Sequence, residues 1–124
     1  MNKLSLLAFL LLIFLNSNPQ SCLPEGIIFS SQAQIDSFQT IYPGCAKIDG
    51  NVIISGPDII NLNELNSLDS IGGDLNINSN DVLVDLAGLE GLTFISEDLR
   101  IYSNPELLVL TGLDNLNFIG SDIQ

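Results

Sequence analysis

The chain has 124 residues, of which 15 are Asp or Glu and 3 are Lys or Arg, giving a formal charge of −12, and it contains neither His nor Trp. So acidic a surface is repelled by nucleic acid and by anionic bilayers, which both need a basic footprint. Without His there is no imidazole general base, no His-based triad and no imidazole zinc site, and the length allows one folded domain.

The chain opens MNKLSLLAFLLLIFL, with one cation at Lys3 ahead of the apolar run from Leu4 to Leu15. A run of about 12 residues falls short of the ~20 that span a bilayer, and polar NSNPQS follows it without a stop-transfer charge. Residues 1–20 are therefore expected to be a secretory signal peptide. The mature domain follows over 21–124, with a cap over 21–45 and rungs over 46–124, secreted or at the cell surface and not inserted in the membrane. Export means an oxidising compartment, where the only two cysteines, Cys22 and Cys45, are expected to form a disulfide. Closing that loop would stabilise the fold by about 3–4 kcal/mol on the chain-entropy account.

Between the cysteines, Ser31 and Gln34 have capping-box spacing, and Ile35, Phe38 and Ile41 recur at threes before Pro43 and Gly44. One helix of about ten residues is expected, its apolar stripe covering the open end of the structure that begins at Cys45.

From Ile71 the chain repeats itself. IGGDLNINSNDVLVDLAGLEGLTF (Ile71 to Phe94) aligns with ISEDLRIYSNPELLVLTGLDNLNF (Ile95 to Phe118), a period of 24. Leu75, Ile77, Leu83, Leu86, Leu89 and Leu92 recur as Leu99, Ile101, Leu107, Leu110, Leu113 and Leu116, and Asp74, Asn80 and Gly88 recur as Asp98, Asn104 and Gly112. An earlier copy begins at Ile48 and a further one at Ile119. Periods of this length mean stacked units that share one continuous core. Leu75-x-Ile77 and Leu99-x-Ile101 alternate as half-buried strands do. Leucines at threes over 83–92 do not suit an α-helix, because nine residues at 100° each would carry Leu92 to the face opposite Leu83. That stretch is expected to be extended segments joined by corners, with Gly88 and Gly112 at corners needing positive φ or close approach. Asn80 and Asn104 are expected to form an asparagine ladder along the stack.

Cys22, a capped helix, PGC, I-x-G-x-V-x-I and rungs of the type IGGDLxIxSNxxLxxLxGLxxL together resemble the receptor L domain family, in particular bacterial surface proteins of that type. The resemblance implies a mainly β, right-handed β-solenoid with rungs of about 24 residues and a short N-terminal capping helix. It also implies a role in binding rather than catalysis. An ordinary leucine-rich horseshoe is the alternative fold, since Leu75-x-Ile77-x-x-Asn80 echoes its strand; leucines at threes in place of a helix favour the L domain form. The sequence stops at Gln124 inside a rung, so a fragment or a truncated product is expected.

With the repeated aliphatics turned inward, the outward strand residues are Ile53 and Ser55, then Asn76 and Asn78, then Arg100 and Tyr102. Ile53, Asn76, Asn78, Arg100 and Tyr102 are the candidate binding surface, for a protein or glycan ligand, because Arg and Tyr are enriched at interface hot spots. Arg100 also has a plainer role open to it, neutralising Glu97 and Asp98. Asp74, Asp98 and Asp122 would form a column in which neighbours at ~4.8 Å repel by about 0.9 kcal/mol in water and about 3.5 kcal/mol at an effective dielectric of 20. That column is expected to face solvent; a calcium loop from Asp74 fails because Ser79 stands in place of the turn glycine and Asp85 in place of the bidentate Glu. No catalytic constellation, metal site or cofactor is expected. The alternative function is a structural spacer or stalk within a larger surface protein, without a ligand of its own.

Overall fold

The structure is a computed structural model that describes residues 20–124. The leader expected over 1–20 therefore lies, apart from Gln20, outside the described residues. The chain is mainly β. Strands β1 (Gln20–Cys22), β3 (Cys45–Ile48), β5 (Ser70–Ile71), β7 (Phe94–Ile95) and β9 (Phe118–Ile119) form one parallel sheet. Strands β2 (Ile27–Phe29), β4 (Val52–Ile54), β6 (Leu75–Asn78) and β8 (Leu99–Tyr102) form a second. The chain visits the two sheets alternately, so each repeat adds one strand to each. Pairing keeps the period: Val52 faces Leu75 and Leu75 faces Leu99, while Ile54, Ile77 and Ile101 form the parallel row.

Side-chain alternation along these strands builds the core. Val52, Ile54, Leu75, Ile77 and Leu99 are buried, and each fully enclosed aliphatic contributes about 1.5–3 kcal/mol by leaving water. The rest of the core comes from the leucines at threes. Leu83, Leu86, Leu89 and Leu92 are all buried, with Leu62, Leu65 and Leu68 in the repeat before. Their spacing follows from consecutive tight turns rather than a helix: the amide of Leu89 donates to the Leu86 carbonyl at 3.2 Å and that of Leu92 to Leu89 at 3.0 Å. Leu113 repeats the bond to Leu110 and Leu116 to Leu113. Each three-residue step turns the chain and returns the next leucine to the same side, with a 3-10 turn at Asn63–Leu65 in the earlier copy.

Gly88 and Gly112 sit at φ of +113° and +120°, and a Cβ at either would overlap the carbonyl oxygen of Leu62 or Leu86 in the repeat below. Both the backbone region and the spacing therefore demand glycine.

The expected asparagine ladder is present. Asn80 is 0% exposed and uses every polar atom of its amide. Its Oδ1 accepts the Gly56 N–H at 2.9 Å, while its Nδ2 donates to Ile54 O at 3.0 Å and to Asn104 Oδ1 at 2.9 Å. Asn104 repeats the pattern one rung on, with Nδ2 donating to Ile77 O at 2.9 Å. Ser79 and Ser103, just before, take φ of +56°, turning the backbone out of the strand so that the next side chain enters the core.

Between the cysteines the expectation of one helix is corrected to two short ones, α1 (Gln32–Asp36) and α2 (Phe38–Ile41). The break falls at Ser37, whose φ and ψ are −93° and 0° and whose amide and hydroxyl both donate to Ala33 O, at 3.1 and 2.7 Å. Ile35 and Phe38 are buried, whereas Ile41, expected on the same stripe, is 60% exposed. The capping box also differs in one bond. Ser31 Oγ accepts the Gln34 N–H as anticipated, but Gln34 Oε1 accepts from Ser30 N, one residue earlier, at 2.6 Å. Cys22 and Cys45 form the disulfide, with Cα atoms 5.7 Å apart, and tie β1 to β3.

Candidate functional site

The outer face of the second sheet brings together the residues that the alternation assigns to it. Ile28, Ile53, Asn76 and Arg100 occupy one row, each the register partner of the next, and Asn78 and Tyr102 pair in a second. Ile53, Asn76, Asn78 and Arg100 are half-buried, and Tyr102 is 50% exposed. Ser55 Oγ links neighbouring rungs by donating to Asn78 Oδ1 at 3.2 Å, and within β6 Asn78 Nδ2 donates to Asn76 Oδ1 at 2.8 Å. These bonds fix the amides in orientation before any ligand arrives, so less side-chain freedom is lost on contact.

Arg100 is less available than its exposed strand position suggested. Its Nη1 lies 3.1 Å from Asp74 Oδ2 and its Nη2 bonds Asp98 Oδ2, so one guanidinium spans two carboxylates of successive rungs. Both acids are enclosed more than expected, with side-chain exposures of 28% and 17%. Here the expectation of a freely solvated aspartate column needs correction. The column is a hydrogen-bond ladder: Asn51 Oδ1 accepts the Asp74 N–H at 2.8 Å, Asp74 Oδ1 that of Asp98 at 3.0 Å, and Asp98 Oδ1 that of Asp122 at 3.2 Å. A carboxylate oriented to accept a backbone N–H cannot turn away from its neighbour, so the repulsion is offset in place by Arg100.

Two features escape a reading by spacing. Phe94 and Phe118 stack on the outer face of the other sheet, with ring centroids 4.6 Å apart and planes within 6°, both partly exposed. Their spacing of one period is visible in the sequence, but a two-residue strand gives no alternation to show which way they point. Ile28 extends the outward row by one strand and is 60% exposed, yet it precedes the recognisable repeat.

Among the described residues no helix is long and apolar enough to cross a membrane. Neither a curated protein nor a solved structure matches the chain. The sequence profile described as Receptor L domain matches residues 44–122, the stretch that carries strands β3 to β9 and both Asx ladders. The chain belongs to the receptor L domain family.

Proposed function

We propose that this protein is an exported, extracellular recognition module without catalytic activity, built as a right-handed β-solenoid whose first end is covered by α1 and α2. Its ligand is a protein or a glycan, met by Ile53, Asn76, Asn78, Arg100 and Tyr102. The observation that carries the reading is the register of the second sheet, which holds these side chains in two straight rows on a rigid floor while Val52, Ile54, Leu75 and Ile77 lock the opposite side into the core. Tyr102 supplies exposed aromatic area, Asn76 and Asn78 supply oriented amides, and Arg100 is a charge already half spent on its own acids. Family membership supports the binding role, since receptor L domains are extracellular ligand-binding modules.

The test is retention of fluorescently labelled protein on a glycan array and on intact cells. Replacing Tyr102 and Asn76 together by Ala is expected to reduce retention at least tenfold with unchanged thermal stability. Loss caused by Phe94→Ser instead, with the double variant still retained, moves the site to the other sheet and ends this assignment. N-terminal sequencing of secreted protein checks the leader, with a mature end near Ser21 expected.

A second reading is a supporting segment within a taller stack, without a ligand of its own. It is favoured by the exposed apolar side chains Leu108, Val109 and Leu110, which a neighbouring segment would cover. Equal retention of the native chain and of every face variant supports it.

A further inference from the structure

The first strand of the second sheet has an open side. β2 pairs only with β4, and in a parallel ladder the residues bonded to one neighbour alternate with those turned to the other. Ile27 N donates to Asn51 O at 2.9 Å and Phe29 O accepts the Ser55 N–H at 2.9 Å, so Ile27 and Phe29 serve the β4 side. The N–H and C=O of Ile28 point the other way and have no partner among the described residues. Beside this edge lies a cleft of about 190 Å³, lined by Ile27, Ile28, Phe38, Ile41, Tyr42 and the polar pair Gln34 and Ser37. Phe38 forms its floor, braced by Phe29 at a centroid distance of 5.5 Å and by Tyr42 at 5.6 Å. Ile28 and Ile41 are each 60% exposed, and both line this one cleft.

We propose that this edge and cleft form a second recognition site, separate from the outer face, which takes an extended segment of another protein as an added strand beside β2. Three observations select that occupant. An unpaired strand N–H and C=O are matched together by another extended backbone. The cleft is smaller than the roughly 300–1,000 Å³ typical of small-molecule sites and suits an anchoring side chain. A strand added there continues the inward row Ile27–Val52–Leu75–Leu99, so its inward residues, one apart, fall over Phe38 and Tyr42. Aliphatic residues at alternate positions are therefore selected. Exposed Glu25 and Asp36 stand close in sequence to the lining residues, and the net charge of −12 opposes a second copy of this chain, so basic flanks are selected as well.

The probe is the acetylated, amidated peptide Lys-Ile-Thr-Ile-Lys, titrated to millimolar concentration into the isotopically labelled full chain while backbone amide shifts are followed. Saturable shifts at Ile28, Ile41 and Tyr42 are expected. Binding should weaken at least tenfold when both peptide isoleucines are N-methylated, and at least tenfold in Ile41→Glu, whose exposed position leaves the melting temperature unchanged. Glu in place of both lysines should weaken binding at low salt. Absence of shifts at these amides overturns the proposal. So does equal affinity of the N-methylated peptide, which would mean apolar contact without strand pairing, or shifts confined to Asn76 and Tyr102, which would place the peptide on the outer face.

Discussion

Two columns of short polar side chains run along the same stack, one through Asp74 and Asp98 and the other through Asn80 and Asn104, and they meet one geometric demand in opposite ways. In each, a side-chain oxygen accepts a backbone N–H of an adjacent repeat: Asn80 from Gly56 at 2.9 Å, and Asp74 from Asp98 at 3.0 Å. The amide also donates, so Asn80 satisfies a carbonyl and its neighbour in the ladder and is completely enclosed without net charge. A carboxylate only accepts. Asp74 and Asp98 therefore stay partly open, and they need Arg100 between them. The difference teaches that a repeat can place the same geometry inside or at the surface, and that the enclosed place needs a side chain able to donate as well as accept.

Exchanging the two chemistries gives the largest expected effect. Asn80→Asp puts a carboxylate opposite the Ile54 carbonyl in a dry site and should cost about 3–5 kcal/mol at pH 7 in urea unfolding. The sign with pH is fixed by burial: the enclosed carboxyl has a folded-state pKa above its unfolded value, so the loss should grow as pH rises from about 4 and fade on acidification. A destabilisation that stays constant between pH 3 and 7 would show that the site is wet.

Truncation comes next. Asn80→Ala strands the Gly56 N–H and the Ile54 C=O and should cost about 2–4 kcal/mol, whereas Asn104→Ala, partly exposed with water at hand, should cost about half as much. Equal losses in the two variants, measured by the same denaturant titration, would break the claim that burial sets the stakes.

Removing the cation has a smaller effect. Arg100→Gln leaves Asp74 and Asp98 facing each other and should cost about 1 kcal/mol at low ionic strength, less in 1 M salt. Insensitivity of that loss to salt would mean that Arg100 acts through packing alone. Smallest of all is Asp98→Asn, which keeps an acceptor for the Asp122 N–H and lowers the repulsion while giving up one bond to Arg100, for a net change within about 0.5 kcal/mol. Combined with Arg100→Gln it should recover part of that variant's loss, the coupling a double-mutant cycle reads directly.

Much of this was legible because a repeat converts sequence spacing into spatial neighbourhood. Leu75 with Leu99, Ile77 with Ile101 and Asn80 with Asn104 are one period apart in the chain and one strand apart in the fold. The outward rows followed from alternation alone, and Gly112 from its place in the period. The region before the repeat was read less well. Ile41 is exposed although it recurs at threes with Ile35 and Phe38, because six residues at 100° each leave it about 120° from Ile35 around a helix. The orientation of Phe94 and Phe118 was likewise hidden, since two residues do not establish a face.

By itself, then, the sequence determined the period, the inward aliphatic rows, the ladder positions and the pairing of Cys22 with Cys45, because each depends on spacing or on a count of two. Tertiary structure alone decided that Arg100 is shared between two acids, that the aspartates hold backbone amides of the next rung, and that the open side of β2 lies beside a cleft. Those outcomes depend on distances between segments that carry no common spacing, and on which side of a strand runs out of partners.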